Sequence, residues 1–172
     1  MTMSAKYPQF VIPLLKTTFN EIVGGPKADD LDAVLRKEAL YCAIGRCYLR
    51  LRDELPMDAW LSQSLSVEVK ESNPKYVRIS PCHMHCVSAD IPLLSSYRVL
   101  KRRIAWVLGE IANGEDRPDS LLLKKTWDIL AYMLVDHTVS SDVAVRVSAA
   151  IAIQRAVDVR GFYSSLRFAE SF

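Results

Sequence analysis

Two cysteines and two histidines fall within five consecutive positions of the segment PCHMHC, namely Cys82, His83, His85 and Cys86. Thiolates and imidazoles are the ligands zinc prefers, and the ion wants about four of them in a tetrahedron. The spacing argues against such a site. Natural zinc sites draw two pairs from separate elements, whereas Cys82–His83 and His85–Cys86 are chain neighbours whose side chains tend to diverge. No second cluster helps, because the one remaining histidine is His137, and Cys42 and Cys47 sit in a helical pattern where a free Cys serves as a small apolar side chain. The expectation is a loop that holds no metal or cofactor, with thiols kept reduced. A metal- or redox-responsive loop, its shell completed by an outside ligand, is the competing reading.

Other arrangements that could do chemistry are weaker still. The IVGG-PKADD stretch lacks the Lys-Ser/Thr pair and the preceding strand of a phosphate loop. His137, in VDHTVSSD, has no nucleophile motif beside it and reads as a solvated residue near a helix end. No catalytic residue is expected, so the chain is not expected to be an enzyme.

Charge offers a different kind of site. Arg98, Lys101, Arg102 and Arg103, in YRVLKRRIAW, put at least three cations on one and a half helical turns, too many to face a core. They form either a solvated face or a contact surface for an acidic partner. A second basic run, Arg46, Arg50 and Arg52, extends that surface. The global field is weak, since 22 basic and 20 acidic residues leave a net charge of +2, which favours neither nucleic acid nor an anionic membrane as partner. The opening MTMSAKYPQFVIPLL, interrupted by Pro8 and Pro13, fits neither a signal peptide nor a membrane span, so a cytosolic or nuclear location is expected.

The elements that must carry these residues follow the helical period almost throughout. In 118–135, Leu123, Trp127, Leu130 and Leu134 make one apolar row and Leu122, Thr126, Ile129 and Met133 the next, with Lys124, Lys125 and Asp128 opposite. The same test predicts helices over 6–23, 30–54, 57–71, 96–113, 118–135 and 141–158. Breakers such as GGPKADD, Pro56 and NGEDRP separate them. Six helices with mostly short connectors make three antiparallel pairs.

The second helices of the pairs also resemble one another: KEALYCAIG over KRRIAWVLG over RVSAAIAIQ. Each is led by a base (Lys37, Lys101, Arg146) and shares apolar positions at Leu40, Ile104 and Ala149, then at Ile44, Leu108 and Ile153. The aligned segments end at Gly45, Gly109 and Gln154, so one interval is about 45 residues, the period of HEAT-type helical pairs, and the other about 64. The surplus falls in 72–95, which shows no helical period and contains the Cys/His hexapeptide. The predicted fold is therefore all-α, a solenoid of about three HEAT-type helical hairpins (6–54, 57–113, 118–158) in one segment. An irregular insertion occupies 72–95 and an incomplete next repeat 159–172. Leu40, Ile44, Trp60, Trp106, Leu108, Trp127, Leu130, Ile151 and Ile153 are the expected interhelix core, and the open ends are expected to expose apolar surface.

KEALYCAIGRCYLRLRDELPMDAWLSQSL (37–65), YRVLKRRIAWVLGEIA (97–112) and VAVRVSAAIAIQRAVD (143–158) resemble consecutive HEAT repeats from the middle of importin-11-type receptors, in the importin beta superfamily. Lys37, Glu38, Ala39, Gly45, Trp60, Arg102, Arg103, Trp106, Gly109, Val145 and Arg146 carry that resemblance in one co-linear order, and the insertion departs from it. The resemblance implies nuclear import without catalysis: binding of protein cargo, regulation by the GTPase Ran, contact with nucleoporins, and transit between cytoplasm and nucleus. The Ran-binding N-terminal repeats of such receptors have no counterpart here. Arg98, Lys101, Arg102, Arg103, Arg46 and Arg50 are the expected partner-binding residues. A HEAT or armadillo-like subunit organising a phosphatase or coat assembly is the alternative.

Overall fold

A computed structural model of the chain describes residues 7–23, 31–70, 96–114, 121–135 and 142–157. Among them are six helices and no strand. They are α1 (Pro8–Val23), α2 (Leu31–Leu51), α3, α4 (Ser96–Gly114), α5 (Leu121–Val135) and α6 (Val143–Val157). Helix α3 runs as three joined pieces: Met57–Trp60, a π-helical stretch Leu61–Leu65, and Ser66–Lys70. Pro8 opens α1, where a missing N–H costs nothing, and Pro56 precedes α3 for the same reason. The widened turn in α3 coincides with Ser62, whose hydroxyl donates to the Asp58 carbonyl at 2.8 Å and so competes with the regular backbone ladder.

Taken in chain order the helices fall as α1/α2, α3/α4 and α5/α6; α1 packs on α2 and α5 on α6, whereas α3 packs more on α5 than on α4, and together they stack into an all-α helical-repeat solenoid. The second helices carry the stack: α4 lies between α2 and α6 and packs along both. On the other side α5 lies against α3, and α1 reaches α3 through Phe19, edge-on to Trp60 at 5.5 Å. One apolar core runs through all three pairs. Trp60 is its largest member, buried between Phe19 and Tyr41, whose ring meets it edge-on at 5.2 Å. Each large side chain buried this way contributes about 1.5–3 kcal/mol.

Leu40, Ile44, Trp60, Leu108 and Leu130 are buried, as their period predicts. Trp106, Trp127 and Ile153 are half-buried at the margin of the core. Ile151 corrects the expectation, being 46% exposed. In α6 the inward positions are Val145, Ala149, Ala152 and Ala156, mostly small, which lets α4 approach closely and turns Ile151 outward. Val143 and Val147 share that outward stripe, and Phe10 and Leu14 lie exposed on α1 at the other end. The 72–95 insertion with Cys82, His83, His85 and Cys86, together with His137 and residues 159–172, lies outside the described residues.

Candidate functional site

The three second helices meet in one repeated register. A Cβ added to Gly45 would lie 2.5 Å from the Trp106 ring and 3.3 Å from Val107; one added to Gly109 would lie 3.1 Å from the Cβ of Ala152. Gly45 and Gly109 are equivalent positions in the repeat alignment, as are Val107 and Ala152. Each glycine therefore admits the same position of the next repeat, because a side chain there would hold the helices apart.

Polar links fasten the first interface. Lys37 donates to Glu68 at 2.5 Å, and the Tyr41 hydroxyl donates to the other oxygen of the same carboxylate at 2.9 Å, joining α2 to α3. Lys37 and Glu68 keep only 11% of their side chains exposed. Burial first, and then the adjoining Glu68 carboxylate, push the Tyr41 phenol far above its ordinary range, with the Trp60 indole acting in the opposite sense. The next residue, Glu38, accepts from Arg103 of α4 at 2.6 Å. Arg103 also lies 5.0 Å from the centre of the Trp106 ring, and Arg46 of α2 lies 5.3 Å from it, so two guanidinium groups share one indole.

The six cations singled out from the sequence divide among these features. Arg46, Arg50 and Arg102 are exposed. Arg103 is held by Glu38 and Trp106, and Arg98 reaches Asp142 at 3.5 Å, which ties α4 to the start of α6. Lys101 is half-buried and has an interaction partner. Arg52, from the same run as Arg46 and Arg50, donates to the Gly114 carbonyl at 3.0 Å. Arg102, Arg103 and Trp106 come together on one face, Arg46 adjoins it, and Arg98 is drawn away toward α6.

That face forms one wall of a groove of about 440 Å³ between α4 and α6. Val99, Arg102, Arg103, Trp106 and Gly109 line it from α4, at helical spacing. Ser148, Ile151, Ala152 and Arg155 face them from α6. The floor is apolar and the rim basic: Arg155 is half-exposed with Glu110 3.8 Å away, and among the described residues no ion pair reaches Arg102. A smaller hollow of about 270 Å³ between α2 and α4 is bordered by Arg46 and Arg50.

Sequence reasoning did not find Glu38 as the acid that holds Arg103, nor Arg155 and Ile151 as groove residues. Aligning the repeats and asking which positions face across each interface would have found all three. Cys42 and Cys47 are free and half-buried on α2. Among the described residues no cluster of His, Cys, Asp or Glu is arranged to hold a metal ion, and no helix is long and apolar enough to cross a membrane.

A stack of helical pairs with a basic and apolar groove along its second helices can hold a protein segment. Comparison with known proteins bears on which kind of stack it is. The chain is distantly similar to importin-11. It is 24% identical to the importin-11 of Mus musculus over 153 residues, and 23% identical to that of Homo sapiens over the same length. In both, the match covers 89% of this chain and 13% of the relative. The chain thus spans 13% of the length of the curated relatives it matches. No protein-family model matches the sequence. No solved structure matches it either.

Proposed function

We propose that this chain is part of a nuclear import receptor and serves there as a non-catalytic scaffold for protein cargo. The observation that carries the reading is the likeness to importin-11 across nearly all of the chain, in a molecule whose repeats stack as a solenoid. The residues in one co-linear order with importin-11-type repeats form the stack. Gly45 and Gly109 set the register, Trp60 fills the core, and Lys37 and Glu38 tie α2 to its neighbours. Cargo binding is assigned to the exposed second-helix face, Ran regulation and nucleoporin contact to the receptor as a whole, and location to cytoplasm and nucleus. No cofactor, nucleic acid or membrane enters the reading.

The test places this chain in human importin-11 in exchange for the stretch it matches. The expected result is a folded receptor that binds cargo and releases it to Ran·GTP but not to Ran·GDP. A folded chimera that holds a fixed protein subunit equally in both nucleotide states would replace this reading with that of an assembly scaffold. One that binds no cargo would also overturn it.

A further inference from the structure

The two second-helix interfaces share a glycine register but differ in one polar slot. In the first, Glu38 of α2 neutralises Arg103 of α4 at 2.6 Å. The equivalent positions in the second are Arg102 of α4 and Ser148 of α6. A cation therefore stands where the first interface has its acid, and a serine where it has its arginine. Ser148 donates inward, to the Ala144 carbonyl at 2.8 Å. Among the described residues no carboxylate meets Arg102, which remains exposed on the rim of the α4/α6 groove. Ile151, the counterpart of Trp106, leaves apolar surface beside it, and Arg155 adds a second, loosely held cation one turn on.

We infer that the α4/α6 groove binds an acidic linear peptide segment of a partner protein, one whose carboxylates reach Arg102 and Arg155 while an adjoining aromatic or aliphatic side chain lies on Ile151 and Trp106. This deepens the scaffold reading and rests on it. Charge complementarity selects the partner. The lining carries Arg102, Arg103 and Arg155 against Glu38, which is consumed by Arg103; Glu110, outside the lining, reaches Arg155 only at 3.8 Å, so the remaining charge on the rim is positive. Apolar contact supplies affinity, and the arginines supply register and rejection of basic segments.

The probe is a fluorescein-labelled peptide of about ten residues, Asp and Glu flanking a central Phe-Leu, titrated with the 172-residue chain and followed by anisotropy. Saturable binding is expected, weakened at least about tenfold by Arg102→Glu with Arg155→Glu and less than about threefold by Arg46→Glu with Arg50→Glu. Ser148→Glu tests the slot independently. It supplies from within the carboxylate that Arg102 lacks among the described residues, and should weaken the peptide while leaving the circular dichroism spectrum unchanged. Four results would each overturn the inference: no saturable binding, equal binding of a Lys-flanked peptide, equal binding of an acidic peptide with Gly-Ser for Phe-Leu, or a larger loss from the Arg46/Arg50 pair than from Arg102/Arg155. The titration contains no Ran, so loss of peptide binding is distinguishable from failure of the receptor chimera to respond to nucleotide.

Discussion

Replacing Glu68 by methionine strands two groups at once. Its carboxylate accepts from both the Lys37 ammonium and the Tyr41 hydroxyl, in a site where Lys37 and Glu68 are 11% exposed. Removing one member of a buried ion pair costs about 3–5 kcal/mol, because the other charge is left without compensation. An unsatisfied buried hydroxyl adds about 1–3 kcal/mol. Lys37→Met is milder, since Glu68 keeps the Tyr41 hydroxyl, so its cost should be about 3 kcal/mol. The triple variant Lys37→Met, Tyr41→Phe, Glu68→Met leaves no orphaned polar group and should lie within about 2 kcal/mol of the parent, since apolar replacement of a whole buried network is often close to neutral. Urea unfolding monitored by far-UV circular dichroism gives the four stabilities, and equal slopes of free energy against urea would show that the same surface is exposed in each. The order expected is parent close to triple, then Lys37→Met, then Glu68→Met. Additive single effects, or a triple variant less stable than Glu68→Met, would refute the claim that these three groups act as one network.

Other outcomes follow from the same geometry. Alanine at Gly109 gains about 1 kcal/mol of helix propensity but meets Ala152 at 3.1 Å on Cβ and 3.3 Å on the backbone Cα. Overpacking costs about 1–3 kcal/mol, so thermal unfolding should show a net loss of about 1 kcal/mol. Alanine at Gly45 meets chiefly the Trp106 ring, which is half-buried and can turn outward, and beyond it a Val107 methyl at 3.3 Å. Stability should change by less than about 1 kcal/mol while Trp emission shifts to the red, and an unchanged spectrum would contradict the contact. The raised Tyr41 phenol stays protonated in the fold at pH values where the unfolded chain releases its proton. Stability from this group is therefore complete below the ordinary tyrosine value of about 10 and falls as pH rises above it. Urea midpoints measured across that range should fall less steeply in Tyr41→Phe than in the parent.

The helical period revealed the architecture because each inward stripe is long enough to repeat. Leu40 and Ile44, Ile104 and Leu108 are buried at the spacing that identifies them. Ile151 defeated the same reasoning: hydrophobicity ranks it above Ala149 and Ala152, yet the close approach of α4 at Gly109 places Ala152 against it, and that register leaves Ile151 on the outward stripe. The π-helical stretch Leu61–Leu65 was not legible, since it rests on local backbone competition rather than on any change in apolar pattern. The cations could be placed on a helix from sequence, but their fates could not. Arg98 and Arg103 find acids on other elements, Asp142 just before α6 and Glu38 on α2, and only a register between helices tells which cations are neutralised.

That register separates two kinds of position in the stack. At Gly45 and Gly109 the requirement is steric and is met by glycine twice: a Cβ on Gly109 meets the backbone of α6 at Ala152, and one on Gly45 meets the Trp106 ring and Val107 of α4. Two turns away, at Glu38 and Arg102, the requirement is electrostatic and is met only once. An exposed rim position stabilises little whether paired or not, so Arg102, which meets no carboxylate among the described residues, costs the fold less than a Cβ at Gly109 would. Cations that the fold does not itself neutralise are available to a partner, and in this chain they lie beside the apolar surface that Ile151 could not bury. The register that turns Ile151 outward at the Gly109 crossing and the lack, among the described residues, of an acid at Arg102 together make the second interface, rather than the first, the one able to receive another protein.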